Sequence, residues 1–389
     1  NGIQSILYNG FKTNPSEILV NNISNSNSNQ KTVELDGNEN NITLIFEGKL
    51  RSCKEMFSGL NIIIFINLSN FDATGVTDMT LMFNGCSSLK SIDLSNLETS
   101  ELTLMVSVFK NCIKLASINL SSFYTSKVKN MKELFFGCKS LQIIDISSFD
   151  TSSCTGLHHI FDGCESLKSI NVSHFDTSKA KMINRMFKDC KSLTSIDVSN
   201  FDTSSAIRMT YMFSSCYNLT SINLSNFDTS KVGYMNYMFY HCYSLKFLDI
   251  SNFNTSVVFL MYNMFNGCKS LTSLNLSHFD TSNVQLMQNM FFNCISLEIL
   301  DISNFNTPEA TRMDSLFYNC ISLKCIDITN FDTSNVTLMN QMFFNCSSLK
   351  LLDLSNFNTS SVKNMKNMFY GCNNLTSINL SYFETSNVT

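Results

Sequence analysis

Any chemistry here would have to come from cysteines, histidines and carboxylates, so their spacing comes first. Twelve cysteines, Cys86, Cys112, Cys138, Cys164, Cys190, Cys216, Cys242, Cys268, Cys294, Cys320, Cys346 and Cys372, recur every 26 residues. Stacked in register they would be either buried thiols or, with α-carbons about 5 Å apart, a ladder of disulfides. Leu60 holds the same slot one period earlier, so an apolar residue suffices there. No C-x-x-C or Cys/His spacing points to zinc. Cys154 stands in a valine column and is expected in the core. Cys325 falls on an outward strand position and is the candidate reactive thiol. A second column alternates from Asn67 through Asp93, Asn119, Asp145, Asn171, Asp197, Asn223, Asp249 and Asn275 to Asp301, and Asp327 and Asp353 break the alternation. The three successive carboxylates Asp301, Asp327 and Asp353, about 4.8 Å apart in a parallel stack, are a weak candidate cation site. Solubility and side-chain ladder bonding explain the same column. Asp150, Asp176, Asp202 and Asp228 read as turn and capping residues. His158 and His159, the one histidine cluster, read as helix surface and not catalytic, with no acid or nucleophile placed beside them by the repeat. There is no Gly-rich phosphate loop, metal motif or nucleophile with a base. Identical columns supply many equivalent environments, whereas an active site needs one distinctive one. These residues predict no enzyme and no cofactor.

Surface chemistry is more promising. Tyr211, Tyr234, Tyr237, Phe259 and Tyr262 lie outside the core columns. Another run collects Tyr240, Tyr243, Phe292, Tyr318, Phe344 and Tyr370. Exposed aromatic patches mark interfaces, which makes these residues candidates for a protein partner or for self-association. Packing of neighbouring rings along the stack is the competing explanation. Asn-x-Ser/Thr sequons at Asn22, Asn41, Asn67, Asn119, Asn171, Asn223, Asn275, Asn335, Asn358 and Asn379 are candidate glycosylation sites if the chain passes through a eukaryotic secretory route.

The elements that must position these residues follow from the same period. Each unit reads C-x-x-L-x-x-I-x-L-S-x-F-D-T-S-x-V-x-x-M-x-x-M-F-x-G. One Phe column runs from Phe57 to Phe369 without exception, and a second from Phe71 to Phe383 is broken by Leu97. Alternation at Leu193, Ile196 and Val198 predicts a short strand, roughly Ser195 to Ser199. Val336, Met339, Met342 and Phe343 have helical spacing and predict a helix of about two to three turns. The residue before each repeat cysteine is mostly Gly or Asn, suited to a left-handed helix cap. The expected fold is α/β: about 13 strand–turn–helix units of 26 residues, forming one parallel sheet with helices on the other face.

Residues 1–55 do not fit the repeat and are expected to form an N-terminal cap. Asn21 to Asn29 reads as a loop, and Val33 and Leu35 with Ile42, Leu44 and Phe46 read as a hairpin turning at Asp36-Gly37. Residues 56–389 form the solenoid. Thr389 stops where another helix would begin and leaves no C-terminal cap, which fits either a truncated chain or end-to-end assembly. A start at Asn1 without a signal peptide fits a removed leader or a longer protein.

The 389 residues carry a net charge of −4 with no basic stripe, which argues against nucleic acid. No run of about 18 apolar residues exists, so no direct membrane insertion is expected.

Leu219, Ile222, Leu224 and Phe227 resemble a leucine-rich-repeat strand motif. The longer Met-Phe-x-Gly-Cys-x-Ser-Leu-x-Ser-Ile-Asp-Leu-Ser-x-Phe-Asp-Thr-Ser resembles the BspA-like leucine-rich-repeat surface proteins over residues 56–389. That resemblance implies a secreted or surface-anchored protein used in adhesion or protein–protein contact, with a host or matrix surface as ligand. A structural subunit of an extracellular filament and an intracellular leucine-rich-repeat scaffold are the alternatives. The cysteine-containing repeats of ubiquitin-ligase receptors share the length and the Cys slot, but no adaptor-binding domain is visible.

Overall fold

The computed structural model describes residues 2–25, 31–35 and 39–388. The Asp36-Gly37 turn, residues 26–29 of the expected loop, and Thr389 lie outside that set. The chain divides into two compact units, Asn1–Ile170 and Asn171–Thr389.

Unit 1 opens with five short strands: β1 (Gly2–Ser5), β2 (Glu17–Val20), β3 (Ile23–Ser24), β4 (Thr32–Leu35) and β5 (Ile42–Ile45). β4 and β5 do not pair with each other as the hairpin reading required. β4 pairs antiparallel with β1, and β5 with β2. This pairing brings Val33 together with Ile6 and Ile18 in one apolar cluster, against which Val20, Leu35, Ile42 and Leu44 pack. The Tyr8 amide then donates to the Met56 carbonyl at 2.9 Å, tying the segment to the first coil.

The rest of unit 1 and all of unit 2 are coils of a β-solenoid, one coil per 26 residues. Among the described residues there is no helix, so the expected helices on the second face are absent. The coil after Cys216 shows what replaces them. The amides of Met235, Tyr237, Phe239 and His241 donate to the carbonyls of Leu260, Tyr262, Met264 and Asn266 in the next coil, at 2.7–3.2 Å. The intervening amides of Met238, Tyr240 and Cys242 close turns onto the carbonyls three residues back. Tyr237 and His241 take left-handed φ values of 61° and 59°. Two left-handed residues four apart cannot sit inside an α-helix. The expectation of a left-handed residue before each cysteine holds (Gly85, Asn111 and Gly137 among them), but it closes a turn rather than capping a helix.

Spacing decides between the two. An α-helix with its side chains is about 10 Å across, whereas coils joined by backbone bonds stack about 4.8 Å apart. On this side Phe213, Phe239 and Phe265 stack nearly face to face with centroids 5.8–5.9 Å apart. A column of helices cannot fit that pitch. A flat ladder of turns can.

The strand side is thinner than expected. Three-residue strands appear as β6 (Phe65–Asn67), β7 (Ser91–Asp93), β8 (Ser117–Asn119), β9 (Ile143–Asp145), β10 (Ser273–Asn275), β11 (Ile299–Asp301), β12 (Leu351–Asp353) and β13 (Ser377–Asn379). They form parallel pairs β6–β7, β8–β9, β10–β11 and β12–β13 rather than one sheet, and residues 195–199 form no strand. The turn side is more continuous, with parallel bridges linking successive coils from Ser52 to Gly156 and from Met182 to Asn364.

Between the two sides lies the core. In the coil after Cys216 it holds Leu219, Leu224, Phe227, Val232, Met235, Met238 and Phe239. Thr229 is buried with them. Its Oγ1 donates to the Asn254 carbonyl at 2.8 Å, and Thr203, Thr255 and Thr281 repeat the bond at 2.7–2.9 Å. A hydroxyl can lie in an apolar core only when satisfied in this way.

Candidate interaction surface

The cysteine column is a ladder of thiols. None of the fifteen cysteines forms a disulfide. Columnar sulfurs donate to the carbonyl of the phenylalanine 29 residues back, as in Cys242 to Phe213 and Cys268 to Phe239 at 3.2–3.3 Å. Burial pushes the Cys242 and Cys294 thiols up to about 12, which disfavours the thiolate form at these two positions. Cys154 is buried as expected, and Cys325 is exposed.

The outward carboxylates and amides serve their own turns. Asp301, Asp327 and Asp353 each accept from the amide two residues on, at 2.9–3.2 Å. Hydrogen bonds from Ser355 hold the Asp353 carboxyl below its ordinary range. Among the described residues no three His, Cys, Asp or Glu side chains are grouped to hold a metal ion, the Asp301–Asp327–Asp353 trio included. Asn67, Asn119, Asn171, Asn223, Asn275 and Asn379 make the same turn bond to a following serine, as does Asn358 to Ser360. Asn335 Nδ2 donates to the Pro308 carbonyl. Asn22 and Asn41 are exposed in the N-terminal segment.

The histidine pair has a neighbour that the repeat does not supply. An acid does stand beside the pair, because His159 Nδ1 lies 2.9 Å from Asp162 Oδ2. His158 is half-buried, and burial lowers its imidazole to about 4. The repeat hid this contact because Asp162 occupies a column otherwise filled by unrelated residues.

The aromatic residues do come together, all within unit 2. Tyr211 stacks on Tyr237 at 4.3 Å, and Tyr237 meets Tyr240 and Tyr262 edge-on at 5.1 and 5.2 Å. Tyr234 lies 6.4 Å from Phe259, and Tyr217 stacks on Tyr243 at 4.8 Å. Cations cover four of these rings: Arg185 over Tyr211, Arg208 over Tyr234 and Lys269 over Tyr243 at 4.5–4.8 Å, and Lys191 over Tyr217 at 5.9 Å. Further along, Phe292, Tyr318, Phe344 and Tyr370 form a stacked ladder with centroids 4.3–4.9 Å apart. Burial, with Tyr237 and Tyr262 adding repulsion, raises the Tyr211 phenol to about 12. Most rings spend a face on a neighbour and keep an edge outside. Phe259 and Tyr370 remain the most open, at 42% and 65% exposure. Such a surface offers rigid, amphipathic contact area with guanidinium and ammonium groups already in place.

Sequence reasoning missed a second apolar row. Phe65 and Ile143 in unit 1, and Phe247, Ile299 and Leu351 in unit 2, are large, exposed side chains on the strand side. They share Cys325's column, where serine is the commonest residue, and the majority type masked them.

The fold is thus that of a repeat solenoid with regular, stacked surface columns. The chain belongs to the family described as "Mycoplasma protein of unknown function, DUF285", which matches residues 51–169, 131–247, 209–325 and 311–389. No curated protein matches it. Among solved structures it is similar to a leucine-rich cell surface protein of Faecalibacterium prausnitzii, with a TM-score of 0.35, 17% identity, and coverage of 88% of this chain and 91% of that one. It is also similar to a chain of the Toll–Spatzle complex of Drosophila, with a TM-score of 0.29, 14% identity, and coverage of 77% and 49%. The functional domain of InlJ from Listeria monocytogenes, which includes a cysteine ladder, gives a TM-score of 0.17, 13% identity, and coverage of 87% and 71%.

Proposed function

We propose that this protein is a non-enzymatic binding solenoid, secreted or held at the cell surface, that works by adhesion or protein–protein contact. The observation that carries this reading is the ring cluster of unit 2, from Tyr211 to Tyr262, with Arg185 and Arg208 stacked over two of its tyrosines. Aromatic rings and arginines are the side chains that dominate the energetics of protein interfaces. Here they are held rigid by their neighbours, so little side-chain entropy is lost on binding.

The test pairs location with binding. Antibody against the protein is expected to label intact cells. Purified protein is expected to bind host cells or immobilised matrix protein, and Phe259→Ser with Tyr370→Ser to weaken that binding by about tenfold or more without altering the thermal melt. Recovery only from the soluble interior, or equal binding by the double variant, rejects the reading.

A further inference from the structure

We propose that the strand side of unit 2 is a self-complementary surface on which a second copy of this chain docks, the two copies being related by a twofold axis along the stack. This inference uses residues separate from the aromatic cluster and does not depend on the adhesion reading.

Three columns run side by side there. The middle one carries Phe247, Ile299, Cys325 and Leu351, all exposed, with Ser273 between the first two. Phe247, Ile299 and Leu351 leave 65%, 67% and 62% of their surface open. Solubility would be served by serine, as it is at Ser195, Ser221 and Ser273 in the same column. One residue before the apolar row stand Lys246, Glu298, Lys324 and Lys350. Two residues after it stand Asp249, Asp301, Asp327 and Asp353. The apolar row is therefore flanked by a mainly cationic column on one side and an anionic column on the other.

That order selects one way for two such faces to meet. Rotation about an axis along the stack, through the apolar row, reverses the columns and leaves each residue at its own height. Lys246, Lys324 and Lys350 then lie over Asp249, Asp327 and Asp353 of the second copy, while Phe247, Ile299 and Leu351 meet their own counterparts. Rotation about an axis along the strands sets lysine over lysine and aspartate over aspartate. The one unmatched height is Glu298 with Asp301, and there Glu298 Oε2 is already held by Lys324 Nζ of its own chain at 2.5 Å. A closed twofold contact needs a patch complementary to itself, and this column order meets that condition. An unlike partner would have no reason to match it.

The test uses the full chain. On the proposed axis Cys325 meets its own copy, while the columnar thiols of unit 2 up to Cys346 are buried. Diamide takes two electrons and two protons from a pair of thiols, forming one interchain disulfide and the reduced hydrazine. The wild type is expected to give a covalent dimer, and Cys325→Ser none. At low salt, Lys246→Glu with Lys324→Glu and Lys350→Glu is expected to slow cross-linking by at least about tenfold. Mixing that variant with Asp249→Lys, Asp327→Lys and Asp353→Lys restores it, as a heterodimer. Phe247→Ser with Ile299→Ser and Leu351→Ser, all exposed in the monomer, is expected to leave the melt unchanged and shift sedimentation to monomer. Wild-type protein that sediments as monomer at about 100 μM, or cross-linking at the same rate in the charge-reversed variant, overturns the proposal and assigns the face to an unlike partner.

Discussion

The two sides of each coil solve the stacking problem differently. On the strand side of unit 2, three-residue strands pair at β10–β11 and β12–β13 and lapse elsewhere. On the turn side, every coil from Met182 to Asn364 is bridged to the next. The turn side also carries the phenylalanine stack, with centroids 5.3–6.0 Å apart throughout unit 2. Order along the stack is thus supplied where planar rings stack and inter-coil bridges repeat from coil to coil. The strand side, with less to hold, is freer to vary its outward residues, as the change from Ser221 and Ser273 to Phe247, Ile299, Cys325 and Leu351 within one column shows.

The largest effect should come from breaking the ordered side. Phe239 is fully buried between Phe213 and Phe265, so Phe239→Ala is expected to cost about 3–5 kcal/mol. Ser221→Ala, outward on the strand side, should stay within about 0.5 kcal/mol. Urea unfolding of the two variants measures the contrast, and equal losses would erase it.

A smaller effect sharpens the comparison inside one turn. Thr229 and Asp228 are neighbours with opposite fates. Thr229 is buried and bonds the next coil, while Asp228 is exposed and accepts from the Ser230 amide. Thr229→Val keeps the shape but removes the hydroxyl that bonds the Asn254 carbonyl of the next coil, and should cost about 1 kcal/mol. Asp228→Ala should cost about 0.5 kcal/mol. The thermal melts rank them, and the reverse order would mean that the threonine ladder does not hold the coils.

Much of this was legible in the sequence, and what escaped has physical causes. The 26-residue period, both Phe columns and the left-handed residue before each cysteine could be read because each is enforced by a neighbour of the same kind. The turn ladder could not, because apolar spacings of three, such as Val232, Met235 and Met238, suit successive three-residue turns as well as a helix. The second left-handed column gave no warning, since it holds Glu55, Leu81, Arg185 and Tyr211 instead of glycine. Neighbouring coils over-determine those backbones and absorb the strain. The threonines looked like turn chemistry because Asp-Thr-Ser is a turn sequence, and only stacking turns the middle residue inward. For the candidate surface, the sequence located the tyrosines but not their mutual stacking, and the commonness of serine concealed the strand-side row.

That second left-handed column also yields the smallest and most discriminating expectation. Gln341 has φ of 59°, and its amide donates to the Lys366 carbonyl at 2.8 Å. If the segment were helical, Gln341→Gly would destabilise it by about 1 kcal/mol, because glycine is a poor helix former. In a turn ladder the same change removes a left-handed strain of about 1 kcal/mol and keeps the inter-coil bond. Some of that gain is lost to the greater freedom of glycine in the unfolded chain, so the expected outcome is a stabilisation of about 0.5 kcal/mol. The sign of the shift in urea midpoint, more than its size, tells the two architectures apart. A clear loss at Gln341 and again at Asn289, which shares its column and its φ of 57°, would return the helix to this face.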